Sequence, residues 1–188
     1  QVQYIGMSIV RMACLQSYPG LVHRQEPVDI VDGVAYVNDS KATNAEAAAR
    51  ALASYENIYW IAGGRPKEGG LDACLPYIEN IRHAYLIGEA AMAFGQSLDG
   101  KVPFEISGEL TAAVTQAHER ALADGHARPV VVLSPAAASF DQFDDFEARG
   151  NDFKDLVEGL PGEHIDPFEE PGIFPGTEQA DVMGETGS

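Results

Sequence analysis

The period of the apolar positions changes along the chain, and each period predicts a type of element. Two β-prone runs, 28–31 and 34–37, flank Asp32-Gly33, a dipeptide that favours a tight hairpin turn. Beyond Asn44, short apolar runs alternate with stretches in which apolar residues recur at helical spacing. The predicted strands are 58–62, 84–87, 102–106 and 130–133, and the predicted helices are 44–54, 71–80, one from residue 89, 108–123 and a last one after residue 141. This alternation predicts an α/β fold: a Rossmann-like, mostly parallel sheet with helices on both faces and a small antiparallel hairpin at the entrance.

Both ends of the chain depart from the alternation. Apolar residues from Ile9 to Leu15 recur at helical spacing until Tyr18-Pro19-Gly20 ends the pattern. Residues 161–188 are rich in Pro, Gly and acidic residues, lack Lys and Arg, and show neither period, which predicts a disordered tail. The alternative is a short partner-binding segment around Ile173 and Phe174. One folded domain over residues 20–160 is therefore expected.

The net charge of −17 is concentrated near the end of the chain. From Asp141 onward there are fourteen acidic and two basic residues, so this stretch carries −12 and the first 140 residues carry −5. No cluster of Lys and Arg is present, which argues against nucleic acid as a partner. Without a run of about 18 apolar residues or a secretion signal, we expect a cytoplasmic monomer with no membrane partner. Cys14 and Cys74 lie among apolar residues and are interpreted as small buried hydrophobes.

Candidate chemistry lies in the segments that follow the predicted strands, where ligands bind in sheets of this kind. The first is Asn38-Asp39-Ser40-Lys41-Ala42-Thr43-Asn44. Part of it has a structural explanation, because Thr43 or Asn44 could cap the next helix, with Glu46 near the capping-box position. Lys41 is different, since a cation before a helix N-terminus costs stability unless an anion binds there.

Two further segments add cations and hydroxyl groups at the same predicted edge. Gly63-Gly64-Arg65-Pro66-Lys67-Glu68-Gly69-Gly70 holds two cations, although a glycine-rich loop alone is weak support for a ligand site. The segment 134–141 combines small residues with hydroxyl groups, so backbone amides could approach a ligand closely. Together the three segments suit a small anion such as an amino-acid carboxylate or a phosphate.

The residues after the third segment have simpler interpretations. Phe143 and Phe146 lie at i, i+3 spacing on the next helix, for which core packing is the default. Arg149-Gly150 predicts a helix break, with Arg149 free to pair with a nearby carboxylate.

In this order the segments resemble the Mur ligases, and within that family the branch that adds D-glutamate. The resemblance spans roughly residues 7 to 158 and rests on 20–24 (Gly-Leu-Val-His-Arg), 38–44, Gly63-Gly64 with Lys67, and 133–150. The specific stretch is 38–44, because sister ligases, including folylpolyglutamate synthetases, usually have an Asp-Tyr-Ala-His-Xaa-Pro-like run there.

The resemblance implies roles for individual residues. Those that would surround D-glutamate are Lys41, as the catalytic candidate, and the substrate-binding candidates Thr43, Lys67, Ser139 and Phe146. Arg24 and Asp39 would contact the phosphates and ribose of ATP. No metal ligand is assigned to this sequence.

The resemblance also implies a reaction and a domain arrangement. The family uses ATP to phosphorylate the alanyl carboxylate of UDP-N-acetylmuramoyl-L-alanine, and the amine of D-glutamate then attacks the acyl phosphate. ATP and Mg²⁺ would be held mainly by a central domain that this sequence lacks, with residues 1–19 as its last helix and linker. The segment 20–160 would be the C-terminal domain, and we expect this chain alone to be inactive.

Two other functions stay open at this point. One is a sister Mur or folylpolyglutamate-type ligase domain that adds another amino acid. The other is a non-enzymatic module that binds a small ligand on a doubly wound sheet.

Overall fold

The structure is a computed structural model and describes residues 21–169 and Phe174. Its strands are β1 (Glu26–Val31), β2 (Val34–Asn38), β3 (Ile58–Gly63), β4 (Ile81–Ile87), β5 (Phe104–Gly108), β6 (Val130–Leu133) and β7 (His164–Ile165). Its α-helices are α1 (Ala45–Ser54), α2 (Ala91–Leu98), α3 (Leu110–Asp124) and α4 (Phe146–Glu158), and a 3₁₀ helix covers Asp72–Asn80. None of the helices in these ranges is long and apolar enough to cross a membrane.

The strands form a single sheet in the order β5-β4-β3-β6-β2-β1-β7. The five strands from β5 to β2 are parallel to one another, whereas β1 is antiparallel to both β2 and β7. The β1–β2 hairpin turns at Asp32-Gly33, where both residues have positive φ, as a tight hairpin turn requires. The predicted α/β fold, with its mostly parallel sheet and entrance hairpin, is confirmed.

Helices cover both faces of the sheet. Successive residues of a strand point to opposite faces, so each buried strand contributes side chains to two cores. Trp60 and Ala62 of β3 belong to a core shared with α1, α2 and the 3₁₀ helix. Tyr59 and Ile61 of the same strand belong to a second core shared with α3 and α4. Cys74 is buried in the first core, and burial raises the pKa of its thiol to about 12. Its interpretation as a small buried hydrophobe is confirmed.

The sheet continues beyond the predicted domain boundary at residue 160. His164–Ile165 pair with the outer edge of β1, with Ile165 opposite Ile30. Phe174 is also buried and belongs to the first core. These parts of the segment predicted as a disordered tail are therefore structured, while residues 170–173 and 175–188 lie outside the described residues. The predicted N-terminal helix, the 1–19 linker and Cys14 lie outside them as well.

The predicted helix break at Arg149-Gly150 is wrong. Both residues lie inside α4, whose N-cap Asp145 accepts a hydrogen bond from Ala148 N (2.6 Å). Arg149 is buried and donates to hydroxyl and carbonyl oxygens instead of pairing with a carboxylate. Gly150 is required by the close packing of α4, because a Cβ at this position would overlap the imidazole of the buried His23. The glycine thus lets α4 approach the entrance segment closely.

We predict that Gly150→Ala destabilises the protein by about 1–3 kcal/mol through overpacking. The same substitution at an unhindered helix position stabilises by about 1 kcal/mol, so the expected sign is opposite to the helix propensity. The measurement is urea unfolding of both variants and the wild type. Gly159→Ala, at the end of the same helix, is the matched control because a Cβ there meets only ordinary contacts at 3.5 Å. A Gly150→Ala variant as stable as the Gly159→Ala variant would show that α4 does not pack in this way.

Candidate functional site

The three predicted ligand segments lie together at one edge of the sheet. The parallel register places Asn38, the last residue of β2, beside Leu133, the last residue of β6, and Leu133 pairs with Ile61 of β3. The segments that leave these strands are 38–44, 63–70 and 134–141, and we call the region they enclose the strand-end site. The segment at 88–89 joins the same edge, where Asp141 Oδ2 accepts from Glu89 N (3.0 Å).

Hydrogen bonds connect these segments directly. Arg65 and Ala138 exchange two backbone hydrogen bonds of 2.8 and 3.1 Å, which ties the second segment to the third. Ser134 Oγ donates to Asp39 Oδ2 at 2.8 Å, which ties the third segment to the first. The strand-end site is therefore one connected structure and not three independent loops.

Lys67 and Thr43 meet across the site. Lys67 Nζ donates to Thr43 Oγ1 at 3.4 Å, so the glycine-rich loop reaches the segment that carries Lys41. The structure also decides between the two capping candidates, because Asn44 is the N-cap of α1 and its Oδ1 accepts from Ala47 N (2.8 Å). The hydroxyl group of Thr43 is consequently not used for capping.

Lys41 lies above an aromatic ring. Its Nζ is 5.4 Å from the centroid of the Phe146 ring, within the range of a cation–π interaction. The same ring contacts His23 edge-on at 6.1 Å between centroids. Phe143 packs against the second core as expected, whereas Phe146 supports Lys41 at the strand-end site.

Ser139 is buried where the third segment turns towards α4. Its carbonyl oxygen accepts hydrogen bonds from Gln142 N and Phe143 N. Its neighbour Ala138 is bridged to Arg65, so the structure places Ser139 near the loop of Lys67.

A small cationic pocket adjoins Lys41. It has a volume of about 90 Å³ and is lined by Arg24, Gln25, Asp39, Lys41, Ala42, Ala47 and Arg50. Pockets that enclose whole small-molecule ligands measure about 300–1,000 Å³. The pocket therefore fits one phosphate-sized group better than a whole nucleotide, and its three cations suit such a group.

Asp39 is the buried acidic residue among those that line this pocket. Only 4% of the residue is exposed, and its two carboxylate oxygens accept hydrogen bonds from Gln25 N (3.1 Å) and Ser134 Oγ (2.8 Å). Burial raises the pKa of Asp39 to about 6, against the opposing effects of these hydrogen bonds and of the Arg24 charge. A contact with a ribose hydroxyl would need the remaining lone pairs of this carboxylate.

Curated UDP-N-acetylmuramoylalanine–D-glutamate ligases align with most of the chain. The relative from Rhodopseudomonas palustris is 56% identical over 79% of this chain and 32% of its own length. Those from Rhodospirillum rubrum and Brucella abortus are 55% and 54% identical over 78% and 84% of this chain. By sequence, the chain belongs to this ligase family. No family model matches it.

The resemblance to the Mur ligases is thereby confirmed, with one limit on length. The chain spans about a third of the length of the curated relatives it matches. Among the residues that the structure describes, no group of three or more His, Cys, Asp or Glu residues could hold a metal ion.

Two features of the strand-end site and its surroundings were missed by sequence reasoning. Arg50 lines the cationic pocket, and a helical projection could have found it, since it follows Ala47 by three residues on α1. The second feature is a buried network in which Asn38 Nδ2 contacts His23 Nδ1 (2.9 Å) and donates to Glu26 Oε2 (3.1 Å). It depends on a long-range contact with α4 that no local pattern encodes.

We predict that the stability contribution of Asp39 depends on pH. Its folded-state pKa of about 6 lies above the ordinary value of 3.8 for an aspartate, so the folded state binds the proton more tightly than the unfolded state. The resulting stabilisation is complete below pH 4 and is lost as pH rises through 6. Relative to Asp39→Asn, the free energy of unfolding of the wild type should fall by up to about 3 kcal/mol between pH 4 and 7.

Urea unfolding of the wild type and Asp39→Asn between pH 4 and 8 measures this difference. Asp72→Asn removes an exposed carboxylate and is the matched control for the loss of one negative charge. A stability difference between wild type and Asp39→Asn that stays constant over this range contradicts the prediction.

Proposed function

We propose that this chain is the C-terminal, D-glutamate-binding part of a cytoplasmic, ATP-dependent ligase of peptidoglycan precursor synthesis. The parent enzyme would join D-glutamate to UDP-N-acetylmuramoyl-L-alanine. The observation that carries the proposal is the contact between Lys67 Nζ and Thr43 Oγ1, which brings two strand-end segments together at one site. The identity of 54–56% to enzymes with this name supports it.

The charges of the site favour an anionic amino acid. Among the ion pairs of the described residues, none includes Lys41 or Lys67, so neither ammonium group is held in an ion pair when a carboxylate arrives. The 3.4 Å contact of Lys67 with Thr43 is long for a hydrogen bond. A carboxylate group could replace it and accept from both side chains. Each charge-assisted hydrogen bond contributes roughly 1.5–3 kcal/mol.

The proposed division of labour follows from these positions. Lys67, Thr43 and Ser139 hold the D-glutamate carboxylates, and Phe146 fixes the direction of Lys41. Orienting the amine towards the reacting carbonyl can remove about 7–11 kcal/mol of barrier. Lys41 would stabilise the negative charge that develops on the reacting group.

The nucleotide would be shared with the rest of the parent enzyme. ATP supplies the phosphoryl group that activates the alanyl carboxylate, and in this proposal the parent's other domains hold most of it, together with Mg²⁺ and the UDP-linked substrate. From this chain, Arg24 and Lys41 would contact one phosphate group in the cationic pocket, while the buried Asp39 keeps its walls in place. The proposal retains a monomer and a domain that begins near residue 20.

We predict that Lys67→Ala in the full-length protein raises the KM for D-glutamate about 10- to 100-fold, the equivalent of one charge-assisted hydrogen bond. The KM for ATP should change by less than about twofold, because Lys67 does not line the cationic pocket. Thr43→Val should act in the same direction with a smaller effect. Steady-state kinetics with D-glutamate, UDP-N-acetylmuramoyl-L-alanine and ATP measures both KM values for the wild type and the two variants.

Lys101→Ala is the matched control, because Lys101 is an exposed lysine whose Nζ donates only to Ser97 O. L-glutamate and meso-diaminopimelate, tested as replacement substrates, separate this function from that of a sister ligase. An unchanged KM for D-glutamate in the Lys67→Ala enzyme, or preferential use of another amino acid, would refute the proposal.

A further inference from the structure

Arg149 is the one Lys or Arg residue that is buried among the described residues, with 1% of its surface exposed. A buried guanidinium costs free energy unless its donors are paired. Burial lowers its pKa to about 10, so it is still a cation at neutral pH. The contacts that compensate for this burial indicate what the residue does.

All three nitrogens of the guanidinium donate to the segments of the strand-end site. Nε donates to Ser40 Oγ (3.0 Å) and Nη2 to Ser40 O (2.9 Å) in the first segment. Nη1 donates to Gly63 O (3.4 Å) at the start of the second segment. Both Nη1 and Nη2 donate to Ala137 O (3.3 Å each) in the third segment. Among the described side chains, Arg149 alone is hydrogen-bonded to all three segments.

These acceptors lie next to the residues that face the ligand. Ser40 precedes Lys41, Ala137 is two residues before Ser139, and Gly63 begins the loop of Lys67. A Cβ at Gly64 would overlap the Ala138 carbonyl oxygen and would lie 3.1 Å from Nη1, so the glycine lets the second and third segments approach each other beside the guanidinium. Ser40 Oγ also donates to Phe146 O (2.8 Å), which connects the same cluster to the ring below Lys41.

The other cross-links join the segments only in pairs. The Arg65–Ala138 bridge joins the second and third, and the Ser134–Asp39 hydrogen bond joins the first and third. The direct link between the first and second, from Lys67 to Thr43, is long and exposed and involves the proposed ligand-binding groups themselves. In the absence of a ligand, the spacing between Lys41, Lys67 and Ser139 is therefore set mainly by the buried hydrogen bonds of Arg149.

We propose that Arg149 is the positioning residue of the strand-end site: its planar guanidinium sets the distances between the three segments and so determines the affinity for the amino-acid substrate without touching it. The inference rests on the proposed function for the identity of that substrate. A lysine cannot replace it, because one ammonium nitrogen cannot span acceptors that the five donors of a guanidinium reach from fixed directions.

The test is a comparison of Arg149→Lys and Ser40→Ala with the wild type in the full-length protein. Arg149→Lys keeps the positive charge, and we expect the KM for D-glutamate to rise at least tenfold and the KM for ATP to rise less, because Lys41 is only one of the three cations that line the phosphate pocket. Ser40→Ala removes the acceptor of Nε and the donor to Phe146 O, while the hydrogen bond from Nη2 to Ser40 O remains, and we expect a smaller rise, of about three- to tenfold, in the same KM. Ser40→Ala also keeps the inference testable if Arg149→Lys fails to fold.

Tyr59→Phe is the control for a loss of stability alone. It removes the hydrogen bond to Asp124 Oδ2 (2.9 Å) at the opposite end of β3, so it should lower the melting temperature and leave the KM for D-glutamate unchanged. The inference is overturned if Arg149→Lys or Ser40→Ala lowers the melting temperature as Tyr59→Phe does without raising that KM. A wild-type enzyme that prefers another amino acid would instead refute the proposed function, and the KM for that amino acid would then decide the role of Arg149.

Discussion

The parallel pairing of β2, β6 and β3 is the constraint on which the rest of the structure depends. Parallel strands bring their carboxyl ends to one edge, so the segments that follow them must share a small volume. Polar backbone groups in such a crowded region need partners. Asp39 accepts from Gln25 N, and Arg149 donates to the carbonyl oxygens of Ser40, Gly63 and Ala137, which makes the edge both stable and polar.

Charge is distributed unevenly around this edge. The chain as a whole is acidic, with a net charge of −17, yet Arg24, Lys41 and Arg50 line one pocket and Lys67 lies at the neighbouring strand-end site. The buried Asp39 lines the pocket as a counter-charge, and the buried Arg149 adds positive charge next to the three segments. A local cationic edge on an acidic protein suits a small anionic substrate better than a large polyanion.

Local patterns predicted much of the fold and part of the site. The hairpin at Asp32-Gly33 and the strand predicted at 58–62, which ends at Gly63 in the structure, follow from turn chemistry and apolar runs, which are properties of neighbouring residues. The short pairing of β7 with β1 escaped prediction because two residues carry no period. Arg149 was misread since a helical pattern counts arginine as polar and the glycine after it as a break. Its partners lie 109, 86 and 12 residues away along the chain, so only the fold reveals them.

We propose that the three strand-end segments form one binding site for D-glutamate. A crystal structure of the full-length protein with bound D-glutamate tests it most directly. The account predicts that the ligand lies between segments 38–44, 63–70 and 134–141, with a carboxylate within hydrogen-bonding distance of both Lys67 Nζ and Thr43 Oγ1. D-glutamate bound at another surface, or in contact with only one of these segments, would contradict it.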